Sequence, residues 1–270
     1  MVSQQGLFKK YLKLLGVTKS EPDFNFLKRI VKAHLIKVPF ENISKLLYKK
    51  QGMNYIPDMG LFLDGIEKNN FGGTCYTNNY YLFLLLKELG FEIKLCGADM
   101  KKPDIHIVSI VKIDGKEYLI DTGNAAPFLE PLPTFLSEDY IIKFGNEKYV
   151  VKPKDELGRT KVEQYSDGKL QHWYIVKSEE RKIEDFRQVI ENSYADDAVF
   201  MNAVRITCYS ENGSKVLKNF SFTETVGNEY KTKKIKPSDL TSVIQENFGM
   251  PLIVINEAID SIKEIKDIYD

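Results

Sequence analysis

The chain has 270 residues, 43% hydrophobic and 28% charged, enough core-forming material for one large domain or two to three small ones. Its 38 Lys and Arg balance 38 Asp and Glu, so it lacks the basic surplus of a nucleic-acid binder. Three cysteines (Cys75, Cys96, Cys208) do not make a disulfide framework, residues 1–6 do not read as a signal peptide, and no apolar run approaches the roughly 20 residues that span a bilayer; a reducing, cytoplasmic setting without membrane contact is expected.

Residues 1–70 read as mainly helical. Leu7, Tyr11, Leu12 and Leu15 recur at helical spacing, as do Phe26, Leu27, Ile30, Val31 and Leu35. Asp23 is placed to cap the second helix. Val38-Pro39-Phe40-Glu41-Asn42 stops the pattern, because a residue before proline avoids the α region. Gly72-Gly73 is a tight turn. The run from Cys75 to Leu89 is apolar nearly all round, which predicts a buried helix with Gly90 at its end.

From residue 91 the texture changes to short strands, at 91–95, 105–113, 117–121, 140–144, 147–151, 162–165, 170–176 and 204–208. So many short strands predict a barrel or a tightly curled sheet. A helical stretch at 178–194 interrupts them. A hairpin of 216–225 and 228–234 follows, then helices at 237–248 and 257–268. The expected organisation is α+β, with a helical unit over 1–90, a barrel over 91–210 and a small α/β unit over 211–270.

Three features carry chemistry. Cys75 follows Gly72-Gly73-Thr74 at a helix start, where the macrodipole and free N–H groups favour thiolate over thiol and are able to hold an oxyanion. By itself, Cys75 also reads as a small buried hydrophobe after a turn. The second feature is the segment from His106 to Asp121. Asp114-Gly115 is a two-residue hairpin signal. With it as the loop, Ile113 faces Lys116 and Val108 faces Asp121. His106, two residues from Val108, then shares a face with Asp121 as a diagonal pair about 7–8 Å apart between backbones. A one-residue slip would separate them. Taken alone, such a pair also fits a purely structural role. Third, the small residues after the strand, Thr122-Gly123-Asn124-Ala125-Ala126, would let a ligand approach the backbone closely, or form an ordinary loop. Cys96 and Cys208 lack partners at metal-ligand spacing, so no metal site is expected. His34 and His172 read as structural, and Lys101-Lys102 as a solvated pair.

Taken together, these segments resemble the arylamine N-acetyltransferases. The match runs through Val38-Pro39-Phe40-Glu41-Asn42, Gly72-Gly73-Thr74-Cys75-Tyr76 with Asn79, His106, Tyr118-Leu119-Ile120-Asp121-Thr122-Gly123 and Leu129-Glu130-Pro131-Leu132, over roughly residues 7 to 135. The resemblance implies a helical bundle, a β-barrel and a C-terminal α/β lid around a cysteine-protease-like core. It implies a catalytic triad of Cys75, His106 and Asp121, acetyl-CoA as donor near Thr122, Gly123 and Asn124, and an arylamine or arylhydrazine acceptor near Phe40. Small molecules and coenzyme A would be its partners, and a monomer or homodimer its state. The chain departs from the family pattern at Phe71 (usually Arg), Thr77 (usually Glu) and Asn124 (usually aromatic), leaving Glu41 without its usual cationic neighbour. Two alternatives remain on sequence alone: a CoA-binding homologue with impaired turnover, and a cysteine amidase or transglutaminase-like enzyme.

Overall fold

The computed structural model describes residues 3–266. Five helices and one short strand come first: α1 (Gln4–Leu15), α2 (Phe24–Lys37), β1 (Phe40–Glu41), α3 (Ile43–Lys50), α4 (Met59–Asn69) and α5 (Cys75–Glu88). Asp23 caps α2 as its chemistry predicts, accepting from the Phe26 N–H at 2.7 Å. The helix ends at Lys37, and Val38 before the proline is extended, at φ −111°. Helix α5 is buried on most of its surface and closes with the 6→1 and 5→2 bonds of a Schellman ending, Phe91 N to Leu86 O at 3.2 Å and Gly90 N to Lys87 O at 3.1 Å. Its apolar side joins Phe8, Tyr11, Phe26, Leu27, Ile30, Phe62 and Leu63 in one core.

Eight strands then form an antiparallel sheet: β2 (Glu92–Asp99), β3 (His106–Ile113), β4 (Lys116–Ile120), β5 (Leu132–Pro133), β6 (Tyr140–Phe144), β7 (Glu147–Val151), β8 (Thr160–Ser166) and β9 (Lys169–Val176). Their order is β5-β4-β3-β2-β9-β8-β7-β6. Leu132 of β5 shares an interior with Tyr149 and Val151 of β7 and with Cys96, Val108 and Tyr174, so the sheet curls into a nearly closed barrel. The helical interruption resolves into a 3-10 turn, Ile183–Phe186, running into α6 (Arg187–Asn192). Its Ile183, Phe186 and Ile190 pack with Tyr76 and Phe83 of α5.

A second, five-stranded sheet has the order β1-β10-β11-β12-β13, from β10 (Arg205–Ser210), β11 (Gly213–Lys218), β12 (Ser221–Val226) and β13 (Glu229–Lys234). Helices α7 (Leu240–Phe248) and α8 (Leu252–Ile259) cover it. Three expectations need correction. The strand expected at 204–208 forms, but in this sheet rather than in the barrel, because β1 provides its partner edge. The expected strand 216–225 is two strands around a turn at Asn219, whose φ of 49° is one asparagine tolerates. The last helix lies earlier than 257–268: Asp260 ends it, residues 261–266 are irregular, and 267–268 lie outside the described residues.

Candidate active site

Two peptide segments with no sequence neighbourhood are bolted together to present Cys75. Gly72 lies so close to β1 that a Cβ there would sit 2.0 Å from the Pro39 carbonyl oxygen, and Gly73 takes φ +124°. Only glycine serves both positions. The Glu41 N–H donates to Gly73 O at 3.0 Å, and the Glu41 carboxylate accepts from Gly72 N at 3.1 Å and from the Ser44 N–H and hydroxyl at 2.8 and 2.6 Å. Burial pushes the Glu41 carboxyl up against those hydrogen bonds. Among the described residues no ion pair to Glu41 replaces the absent arginine: Phe71 packs edge-on against Tyr48, with centroids 6.4 Å apart. Asn42 extends the bolt, its side-chain amide donating to Phe200 O at 2.8 Å and Ala203 O at 2.6 Å while its carbonyl accepts from Arg205 N at 2.8 Å.

The turn sets Cys75 as the first residue of α5, partly exposed. Thr74, the residue before it, makes no side-chain cap. The Thr77 and Asn78 N–H groups already bond Thr74 O, so the Cys75 and Tyr76 N–H groups are the ones left for a ligand oxygen.

The β3–β4 hairpin has the register that Asp114-Gly115 predicts, Ile113 opposite Lys116 and Ser109 opposite Ile120. Continued one step, it places His106 and Asp121 on one face, with Nε2 and Oδ2 2.9 Å apart and both residues buried. Burial opposes charge on the His106 ring, but the Asp121 charge and hydrogen bond, with a smaller share from Cys75, raise it to about 10. Burial works to raise Asp121 too, yet His106 and then Asn79 hold it below the usual carboxylate range. Asp121 therefore fixes the ring through Nε2. Of the three residues expected in the triad, His106 and Asp121 are thus hydrogen-bonded to each other.

Sequence reasoning named Asn79 without finding its task. One turn beyond Cys75, its amide nitrogen donates to Ile107 O at 2.6 Å and to Asp121 Oδ1 at 2.8 Å. Its oxygen accepts from the Thr122 N–H at 2.8 Å. One side chain thus ties the nucleophile helix to both strands of the hairpin. Tyr174 crosses the His106 ring edge-on, centroids 5.1 Å apart, and brings its hydroxyl near Asp121 without a hydrogen bond of ordinary geometry.

The loop after Asp121 turns its first two N–H groups inward. Thr122 N bonds Asn79, and Gly123 N bonds Asp121 Oδ1 at 3.1 Å. A Cβ on Gly123 would lie 2.7 Å from Cys75 Cα, so its smallness serves the approach to the nucleophile. Asn124 is half-buried, and Ala125 lines a cleft of about 260 Å³ between the barrel and the second sheet, with Arg205, Tyr209 and Lys218. Phe40 is buried and stacks edge-on against Phe200, centroids 5.6 Å apart, a contact that no local pattern announces. His34 is an interior residue whose Nδ1 meets the Tyr11 hydroxyl at 2.8 Å, and burial lowers it to about 3. Burial lowers His172 to about 4. It raises Cys96 and Cys208 to about 12, keeping both as thiols. Among the described residues no group of acidic, histidine and cysteine side chains is arranged to hold a metal ion.

Comparison with known proteins places this geometry. The chain matches the family model described as N-acetyltransferase over residues 23–257. Human arylamine N-acetyltransferase 1 is 25% identical over 284 residues, covering 90% of this chain and 93% of that one. The liver isozyme of the chicken enzyme is 26% identical over 245 residues, covering 79% and 81%. Among solved structures, the arylamine N-acetyltransferase of Salmonella typhimurium superposes with a TM-score of 0.79 at 15% identity, over 97% of this chain and all of the other (100%). The Mycobacterium smegmatis structure gives 0.75 at 21%, over 94% and 98%.

Proposed function

The chain belongs to the arylamine N-acetyltransferase family, a family of acyltransferases, and from that premise we propose that Cys75, His106 and Asp121 carry acetyl from acetyl-CoA to an arylamine or arylhydrazine. The observation that carries this assignment is the hydrogen-bonded His106–Asp121 pair against a cysteine at a helix start. The Cys75 sulfur, its proton held on His106, attacks the thioester carbonyl. The Cys75 and Tyr76 N–H groups receive the oxyanion. As the tetrahedral centre collapses, CoA leaves as a thiolate and takes the proton from His106, leaving acetyl-Cys75. The amine then adds to that thioester, His106 accepts the amine proton, and Cys75 departs as thiolate with its imidazolium restored. Asp121 keeps the ring oriented and stabilises its charge throughout, as in other triads.

The donor is assigned to Thr122, Gly123 and Asn124, and the cleft of about 260 Å³ beside Ala125 offers it room. Phe40 and Phe200 are the aromatic surfaces for the acceptor. The reaction calls for no metal. No helix among the described residues is long and apolar enough to cross a membrane, and three free thiols favour a cytoplasmic setting. Phe71, Thr77 and Asn124 leave the His106–Asp121 hydrogen bond intact, which supports turnover rather than CoA binding alone.

The test is intact-mass analysis after incubation with acetyl-CoA, for wild type and Cys75→Ala. One added acetyl group that vanishes in the variant and is discharged by an arylamine is the expected result. A folded wild-type protein that binds CoA but never gains acetyl would refute the assignment.

A further inference from the structure

The third residue of α3 is a lysine buried to 5% exposure, a rare place for an ammonium group without a carboxylate partner. The Lys45 Nζ donates to the Ser193 hydroxyl at 2.6 Å and stands over the Tyr194 ring, 3.6 Å from its centroid. The Ser193 hydroxyl in turn donates to Ile190 O at 2.5 Å. These contacts orient the cation, but none neutralises it. Among the described residues no carboxylate stands within ion-pairing distance of it. Asp196 on the same segment is taken by Lys49, and the Glu41 carboxylate is spent on Ser44 and Gly72.

What the side chain reaches instead is the back of the nucleophile turn. Lys45 lines one small cavity together with Gly73, Thr74 and Thr77. The cavity has room for about one water. The titratable groups around the ammonium are Cys75 from α5, Lys49 and Tyr48 from its own helix, Tyr194 opposite and Glu41 from β1. Burial drives Lys45 down to about 7 and Lys49 repels it; Cys75 is the one neighbour that favours its charge.

We propose that Lys45 is a positioning residue for the reaction, a buried amino group behind the Gly73-Thr74 turn whose charged form stabilises the Cys75 thiolate. This rests on the assignment of Cys75 as nucleophile. The sequence of proton transfers gives such a group a purpose. His106 surrenders its proton when CoA departs, so its charge is not constant through the cycle. A second cation that transfers nothing would favour thiolate before acylation and again when Cys75 leaves the acetylated amine. It would also restore a positive charge near the turn where Phe71 removes one.

The experiment is alkylation of Cys75 by iodoacetamide as a function of pH, followed by peptide mass, in wild type, Lys45→Met and Lys45→Arg, with thermal unfolding of each. Lys45→Met should slow alkylation at pH 7 about tenfold and displace the pH profile upward, the lower range of what a neighbouring opposite charge does. Its midpoint of unfolding should hold or rise, since an apolar side chain replaces a buried, unneutralised cation. Lys45→Arg should restore the rate to within about threefold of wild type. A folded Met variant that reacts like wild type overturns the proposal. So does a Met variant that loses stability or fails to fold, because the lysine is then structural. Wild-type Cys75 reacting no faster than cysteine in a short peptide would instead defeat the nucleophile assignment itself.

Discussion

Asn79→Ala tests whether one amide sets the geometry of the whole site. The substitution leaves the Thr122 N–H, whose acceptor is the Asn79 oxygen, buried without a partner, which costs about 1–3 kcal/mol. It also removes the donor 2.8 Å from Asp121 Oδ1, a bond to a charged group worth about 1.5–3 kcal/mol. Asp121 keeps Gly123 N, so the second loss is partial. The expected total is about 3–5 kcal/mol. At roughly 2–4 °C per kcal/mol for a chain of this size, the midpoint of thermal unfolding should fall by about 10 °C. The rate of Cys75 acetylation should fall at least tenfold in the folded protein below that transition, with CoA binding little changed. Asn79→Asp separates hydrogen bonding from packing. It keeps the volume and the acceptor for Thr122 but sets an oxygen against Asp121, and should be as damaging as alanine. Calorimetry and single-turnover acetylation check both. An Asn79→Asp protein with wild-type stability would refute the reasoning, since the volume alone would then be what matters.

Gly123→Ala should cost about 1–3 kcal/mol in urea unfolding and slow acetylation, because the added carbon meets Cys75 Cα at 2.7 Å and Asn79 Nδ2 at 2.8 Å; wild-type values for both would contradict the close approach. His34 is held neutral, titrating at about 3 when folded against about 6.5 unfolded. Below pH 6.5 the unfolded chain binds a proton that the folded chain refuses. Stability should therefore decline by about 1.4 kcal/mol per pH unit through this residue, about 2 kcal/mol by pH 5, and His34→Gln should flatten that slope in denaturant titrations. Tyr174→Phe removes a buried hydroxyl without a hydrogen bond of ordinary geometry, so its unfolding free energy should stay within about 1 kcal/mol of wild type; a loss above 2 kcal/mol would show that the hydroxyl bonds Asp121.

The proposed triad was legible in the sequence because its hardest part is local. Asp114-Gly115 defines a two-residue turn, and the period of a strand then decides which side chains share a face. The Gly72-Gly73 pair was equally readable as a turn, but its reason was not. The contact with Pro39 crosses more than thirty residues, and no periodicity encodes it. The same limit explains β10, whose partner strand β1 is only two residues long, and the turn at Asn219. That asparagine reads as part of a continuous strand until its amide is seen bonding Val204 N and Lys266 O. Lys45 stayed hidden for another reason. Beside Leu46 and Leu47 on a short amphipathic helix it reads as a solvent-facing charge, and only the packing of Ser193 and Tyr194 over it reveals an interior cation.

The pairing of Phe40 with Thr207 and Glu41 with Ile206 has a bearing on where this chain can be cut. Every residue of the proposed triad lies in its first half, so a fragment ending near residue 200 would look complete on paper. Such a fragment would have β1 as a bare edge, Asn42 stripped of its three partners around 200–205, and Ile43, Leu46, Leu47 and Phe71 uncovered on the side that the second sheet and its helices now shield. The segment that aims the nucleophile is thus half owned by residues that do no chemistry. A minimal catalyst carved from this protein would have to keep its C-terminal quarter, or receive it back as a separate, complementing peptide.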